Sequence, residues 1–425
     1  MMRESEGLLG GVSRHRLDNG LTVLLREDHA VPVVTSLICY RVGSRHEGPG
    51  LRGVSHLLEH LMFKGTRRYA KGEIDYITTR LGGSNNAFTS LDSTAYYFSF
   101  ASDRWLTALD IEASRMRDNL FDAREFEMEK QVVIEELKMD LDQPWSALRC
   151  CIEREAFRSH PYRYPVIGLL DDLRALTPEQ VEDFYASRYC PANAILVLVG
   201  DFRKAAALEA VERRFGSMPA GEECRCEPPL EEPRQDGPLR LELERPTRIA
   251  RLLAAFPAPS VSQDAHYPLQ ILDRVLSEGK LCRLYRSLVE EQRIASSASS
   301  EINETYHPYL LLVRMELRGH ASLEEAEERL FEEMRRLAGQ ALPEDDLVRA
   351  QNQCCTQALQ DLETTLDQAI QLGVLESLGG FEYWNRYFER IRSVTGRDVQ
   401  RAAARYLDPS RAVVGRMPGI PQQAK

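Results

Sequence analysis

The chain carries 425 residues, 43% hydrophobic and 28% charged, with a formal net charge of -11. That length suits roughly two to three globular domains, and the acidic balance excludes nucleic acid as the main partner while favouring cationic peptides. No stretch approaches the ~20 apolar residues that span a bilayer, so no membrane span is expected, and Met1 to Val12, acidic and without an apolar core, does not read as a signal peptide.

The first predicted element is a β-branched strand over Leu21 to Arg26. The next element carries chemistry. His56-Leu57-Leu58-Glu59-His60 follows Gly53-Val54-Ser55, a helix start, and precedes Leu61-Met62-Phe63, a buried stripe, with Gly65 placed to stop the helix. At about 100° per residue, His56 and His60 lie nearly above one another, with Glu59 on the same rim. Two neutral imidazoles so placed can hold a divalent cation, zinc above all, while the carboxylate takes a proton from a metal-bound water. The pattern is the inverse spelling of the His-Glu-x-x-His zinc helix. The plainer reading is an exposed helix with a His pair and one solvated carboxylate. A tetrahedral zinc needs a third protein ligand, so the rest of the chain must supply it.

Downstream, Asn85-Asn86-Ala87-Phe88-Thr89 alternates small polar and apolar residues after the pair Gly82-Gly83, as an exposed edge strand does. An extended peptide can add to such an edge through main-chain hydrogen bonds, which makes Asn86, Ala87 and Phe88 the substrate-side candidates. An ordinary hairpin strand is the alternative. A strand over Thr94 to Phe100 and an amphipathic helix over Leu106 to Asn119 lead to a long Glu-, Lys- and Met-rich helix, Glu125 to Met139. Glu129 and Glu136 stand about two turns apart on one face of it, and Glu135 points elsewhere, into solvent. Stacked like charges are unfavourable unless a cation neutralises them. Glu136, 76 positions beyond His60, is a candidate third ligand, whereas for Glu129 and Glu135 taken singly a solvated helix face is the plainer reading.

In this order the segments resemble the pitrilysin/insulinase family of zinc peptidases. Leu17 to Leu25, Met62-Phe63-Lys64-Gly65-Thr66, Gly82 to Thr89, His160-Pro161-Tyr162, Val166-Ile167-Gly168 and Tyr189 to Asp201 fit the same family. The resemblance implies that His56, His60 and Glu136 hold one Zn2+ per chain, that Glu59 is the catalytic base, and that Glu129 is an accessory catalytic acid near the site, with a supporting role. It also implies peptide substrates bound as an added strand.

A Pro/Gly/Glu-rich stretch over 218–238 divides the chain into lobes 1–217 and 239–425. The halves rhyme: Leu176-Thr177-Pro178 leading to Arg188-Tyr189, Pro191 and an apolar strand recurs as Val394-Thr395-Gly396 leading to Arg405-Tyr406, Pro409 and Val413-Val414. A strand over Tyr309 to Leu317 and helices over Leu323 to Ala338 and Glu344 to Leu362 complete an α+β fold built twice, each lobe a mostly antiparallel sheet covered by helices. The second lobe has no His-x-x-Glu-His and should be metal-free. Many family members carry an Arg and a Tyr here that contact substrate. The matching slots hold Val289 and Ser296, neither able to stabilise an oxyanion as Arg or Tyr would. Mitochondrial processing peptidases and two-gene bacterial relatives divide this labour between chains. The resemblance thus implies a zinc-bearing subunit of a heterodimer with a zinc-free homologous partner, a homodimer being the alternative. A non-catalytic assembly subunit on the same fold is the competing functional class. The nine cysteines form no Cys-x-x-Cys pair and fit reduced thiols in a bacterial cytoplasm, or a mitochondrial matrix for a mature eukaryotic chain. Cys150-Cys151 and Cys354-Cys355 read as helix residues, and Cys224-Arg225-Cys226 as a weak candidate for a second metal or redox site.

Overall fold

The computed structural model describes residues 9–224 and 237–420. Cys226, the first eight residues and most of the Pro/Gly stretch lie outside the described residues. The apolar run Ala194–Gly200 is the reason the first sheet forms as it does. All seven of its residues are buried, so it must sit inside a sheet covered on both faces. It is β6 of a six-stranded sheet with β1 (Ser13–Arg16), β2 (Thr22–Glu27), β3 (Val33–Tyr40), β4 (Ser84–Thr89) and β5 (Thr94–Ala101). The order is β1-β2-β6-β3-β5-β4, with β2 and β6 parallel and the other neighbours antiparallel.

A second sheet comprises β7 (Leu239–Glu242), β8 (Arg251–Ala258), β9 (Ala295–Ile302), β10 (Tyr309–Leu317) and β11 (Val413–Met417). Its order, β7-β11-β8-β10-β9, again places the last strand of the chain segment between a parallel and an antiparallel neighbour. The rhyme in sequence is a rhyme in structure. Helix Pro178–Arg188 opens with a capping box between Thr177 and Gln180, and helix Gly396–Tyr406 opens with one between Thr395 and Asp398. Each is followed by a short turn, Pro191–Asn193 or Pro409–Arg411, and then by the strand β6 or β11.

Packing divides the chain into two compact units, one of residues 1–139, 164–228 and 359–385, the other of 140–163, 229–358 and 386–425. In the first, helix Thr365–Ser377 lies on β3 and β6. The contact is close: a Cβ at Gly373 would come within 2.6 Å of the Leu37 side chain. In the second, helix Pro144–Ala156 covers β11, where a Cβ at Gly415 would meet Leu148 at 2.9 Å. Cys150 and Cys151 lie on that helix, Cys354 and Cys355 on helix Glu344–Gln360, and all eight described cysteines are free thiols. Among the described residues no helix is long and apolar enough to cross a membrane.

In the first unit, α1 (Val54–Leu61) and α2 (Glu73–Arg80) separate β3 from β4, and α3 (Leu106–Asp118) precedes the 20-residue α4 (Ala123–Asp142), all but the last three residues of which belong to that unit. Gly65 does not stop α1, contrary to expectation. The helix ends at Leu61, with Met62 bonding back to Leu58 and Lys64 to Leu61. Gly65, at φ 129°, lies beyond that turn and accepts the Leu120 N–H.

Candidate metal centre

The start of α1 is set by two glycines. Gly53 is its N-terminal flanking residue at φ 99°, and a Cβ there would come within 2.7 Å of the Ile167 carbonyl and 2.8 Å of Leu173. Gly168, at φ 95°, abuts Gly53 so closely that its Cβ would lie 2.4 Å from the Gly53 Cα. Only residues without side chains allow this left-handed, back-to-back passage. Gly53 also offers no side chain to cap the helix, and the two amides at its start, Gly53 N–H and Ser55 N–H, donate instead to the carboxylate of Glu47 at 2.8 Å each.

Leu57, Leu58 and Leu61 anchor α1 in the core, which leaves His56, Glu59 and His60 on the half-buried side. The two imidazoles stand edge to face, 4.9 Å between ring centroids. Burial, and then the neighbouring His60, push His56 down to about 4, so its ring is neutral at pH 7 with a lone pair to offer. Asp122 precedes α4, and its side chain accepts from the Arg124 and Glu125 amides of the first turn. Its face presents Glu129, buried, and Glu136, half in solvent, to the same histidine from two sides. Glu136 Oε2 lies 3.6 Å from His60 Nε2, and Glu129 Oε2 lies 3.4 Å from His60 Nδ1.

One donor atom from each of His56, His60 and Glu136 falls within 4.8 Å of the others. Tetrahedral zinc with donors at about 2.0–2.1 Å sets them roughly 3.3 Å apart, so a few tenths of an ångström to about 1.5 Å of adjustment brings the trio to ligand geometry. Two imidazole nitrogens and one carboxylate suit zinc, and three protein donors leave a fourth position for a reactant. Glu129 stands behind His60 instead of in the trio, held by Lys64 Nζ at 2.7 Å. A carboxylate on the far nitrogen of a ligating histidine fixes its tautomer and ring orientation.

Glu59 lies outside the trio. Its Oε2 accepts a hydrogen bond from the Thr89 hydroxyl at 2.5 Å. Burial pushes its carboxyl upward, opposed by Thr89 and by His60. Thr89 ends β4, the outermost strand of its sheet. Along β4, Asn86 is exposed and its Oδ1 accepts the Ala87 N–H at 2.9 Å, Asn85 binds Asp75 of α2, and Phe88 is half-buried opposite Ala95. The edge predicted for Asn86, Ala87 and Phe88 is therefore present. Three residues escaped the sequence reading: Glu47, Lys64 and Thr89. Lys64 carried a faint signal, four residues after His60. Thr89 and Glu47 reach the site only through folding and carried none.

In the second unit, Val289 is buried in the π-helical turn Tyr285–Glu291, and the Ser296 hydroxyl, on β9, donates to the Glu316 carbonyl. Neither offers a guanidinium or a phenol. Cys224 is buried, and the Arg188 guanidinium donates to its sulfur at 2.9 Å.

Residues 22–169 match the family described as insulinase (peptidase family M16), and residues 175–354 match the peptidase M16 inactive domain. A zinc protease of Helicobacter pylori, PqqE, is 33% identical over 67% of this chain and 65% of its own length. An uncharacterized zinc protease of Bacillus subtilis, YmxG, is 28% identical over 87% of this chain and 89% of its own. The crystal structure of a protease from Helicobacter pylori superposes with a TM-score of 0.91 at 26% identity, covering 96% of this chain and 99% of that one. The chain belongs to the insulinase family of peptidases, M16, and has its two-lobed fold.

Proposed function

We propose that this chain is a zinc metallopeptidase that hydrolyses peptide bonds in short or unfolded peptides, with Glu59 as general base. The observation that carries the reading is the convergence of His56, His60 and Glu136 donors within 4.8 Å on the half-buried side of α1 that also bears Glu59. Zinc held by the three would supply Lewis acidity and positive charge at the reacting carbonyl. Glu59 would accept the proton of the attacking water and return it to the leaving amine. The Thr89 hydroxyl fixes one carboxylate oxygen and leaves the other free for that task. Glu129, buried against His60 and Lys64, keeps the ring in place, a supporting part and not a proton-transfer one. A non-catalytic assembly subunit has no need of all four of His56, Glu59, His60 and Glu136 on one site, which disfavours that alternative.

Substrate is proposed to lie along β4 as an added strand, its main chain taking up the edge amide at Ala87 that Asn86 now caps. Peptides N-methylated at alternate amides around the cleaved bond should test this. Methylation on the side facing β4 is expected to raise KM about 10-fold or more, whereas methylation one residue along leaves it within about twofold, because strand hydrogen bonds alternate. Equal effects at both positions would dismiss the edge.

Thr89→Val is expected to lower kcat roughly 10-fold with zinc retained, and Thr89→Ser to stay near wild type, because only the valine removes the donor. Steady-state kinetics of the two variants decides it. With Val289 and Ser296 in the slots of the substrate-contacting pair, an Arg/Tyr pair would have to come from another chain. The proposed assembly is a heterodimer with a zinc-free homologue, a homodimer being the alternative. The free thiols of all eight described cysteines support a reducing, cytoplasmic setting. Hydrolysis of an unbiased peptide mixture by the purified chain, with zinc quantified on the same sample, tests the whole reading. Zinc near one per chain with chelator-sensitive cleavage supports a self-sufficient peptidase, zinc without cleavage calls for the partner, and no zinc removes the proposal.

A further inference from the structure

Glu47 lies outside the donor trio, yet it is almost wholly buried, 3% exposed. Burying a carboxylate is unfavourable unless its oxygens are satisfied. Burial pushes this one up to about 7, even with the Gly53 and Ser55 amides and Arg52 pulling it down. Both oxygens are in use: Oε2 accepts from Gly53 N–H and Oε1 from Ser55 N–H, each at 2.8 Å. These amides belong to the first turn of α1, where the helix itself supplies no acceptor. The residue that would normally cap the turn with its side chain is Gly53, fixed as glycine by its contact with Gly168. Glu47 acts from six residues upstream in its stead, and its charge faces the positive end of the helix dipole.

The backbone before Glu47 is tied in the opposite direction. In the turn Ser44–His46, Ser44 N–H donates to the Ser90 carbonyl at 3.1 Å and Arg45 N–H to the Leu91 carbonyl at 3.0 Å. The Arg45 guanidinium grips Asp92 at 2.6 Å, both side chains at or below 9% exposure. A Cβ at Gly43 would sit 2.4 Å from the Ser90 carbonyl, so this junction is tight. Ser90 follows Thr89, and Thr89 holds Glu59. The contacts close a ring: α1, Glu47, the Ser44–His46 turn, the Ser90–Asp92 loop, Thr89, and back to Glu59 on α1.

We propose that Glu47 is a positioning residue: by capping α1 from the turn that grips the β4–β5 loop, it sets where Glu59 and the histidines stand relative to Thr89 and the β4 edge. This rests on the zinc-peptidase reading for its catalytic consequence, not for its structural one. Conservative loss of one acceptor, Glu47→Gln, is expected to speed amide hydrogen exchange across residues 53–61 and to lower kcat roughly 10-fold with KM within about twofold. Asp92→Asn removes the charge that grips Arg45 and so weakens the opposite side of the ring; it is expected to lower kcat by a similar factor without moving exchange in that segment.

The experiment uses the full-length, zinc-loaded chain, with its partner if hydrolysis requires one. It combines hydrogen-exchange mass spectrometry, melting temperature and steady-state kinetics on wild type, Glu47→Gln and Asp92→Asn. The inference is overturned if folded Glu47→Gln keeps wild-type exchange over residues 53–61 and wild-type kcat, even with a lower melting temperature. Should Glu47→Gln fail to fold, unchanged kcat in Asp92→Asn overturns it and a reduced kcat at constant KM supports it. If wild type neither binds zinc nor cleaves peptide, the proposed function falls, and the exchange result alone decides whether Glu47 holds α1.

Discussion

Glu59→Gln is expected to lower peptide hydrolysis by roughly 10³-fold, within the range that general acid–base groups contribute, while zinc content stays at the wild-type level. Glutamine has the shape of glutamate and keeps a carbonyl oxygen to accept the Thr89 hydroxyl, so the local packing on α1 should persist. What it lacks is a basic oxygen. The His56, His60 and Glu136 donors converge without Glu59, so metal affinity has no reason to move. KM should stay within a few-fold, because the change acts on proton transfer and not on the β4 edge. Kinetics and metal analysis on one preparation check both halves of the expectation. Full activity in this variant would remove Glu59 from the mechanism, and loss of zinc would make it a structural member of the site instead.

The contrast with Thr89 is one of degree. The hydroxyl orients a base that remains in place without it, so about a tenth of the activity should survive its removal, whereas no neighbour can substitute for Glu59 itself. Among the described residues near it, Thr89 is neutral, Glu129 is tied to Lys64, and Glu136 is committed to the donor trio.

How far the site could be read from sequence follows from how its parts are spaced. His56, Glu59 and His60 sit within one helical turn, so helix geometry alone brings them together. Glu136 was legible because α4 is long and its carboxylates recur with helical spacing, although only the fold shows Glu129 and Glu136 taking opposite nitrogens of one ring. The doubled architecture was legible in the repeated Thr-Pro and Thr-Gly helix starts, and the second sheet repeats the strand order of the first without its edge strand β1. Glu47 was not legible. A lone glutamate in a Gly-rich loop has the look of a solvated charge, and its partners are backbone amides, which leave no mark on residue identity. The two helices that cover the central strands also escape a reading by halves. Thr365–Ser377 lies on β3 and β6, and Pro144–Ala156 on β11, because each supplies the apolar face that the strand beneath it needs.

His60→Ala should have the largest effect on the metal itself, weakening zinc binding by roughly 10³-fold, about 4 kcal/mol, and abolishing hydrolysis with it. His60 is the meeting point of the site: Nε2 faces Glu136 at 3.6 Å, Nδ1 faces Glu129 at 3.4 Å, and His56 stacks edge-on against its ring. Removing it leaves two donors, one of them the half-exposed Glu136, which is too few for a tetrahedral catalytic zinc. Glu129 would keep its Lys64 partner at 2.7 Å, so no bare charge is buried and the fold should survive with a modest loss of stability. The decisive readout is thermal. A ligand that binds only the folded chain raises its stability by about 4 kcal/mol at a thousand times its dissociation constant. Added zinc should therefore raise the melting temperature of chelator-stripped wild type and leave that of His60→Ala unmoved. Glu129→Gln belongs between them, because it disturbs the ring's support and not the donor set, and its zinc affinity should fall by roughly 10- to 100-fold. An equal zinc-dependent shift in wild type and His60→Ala would place the metal elsewhere in the chain and take the proposed mechanism with it.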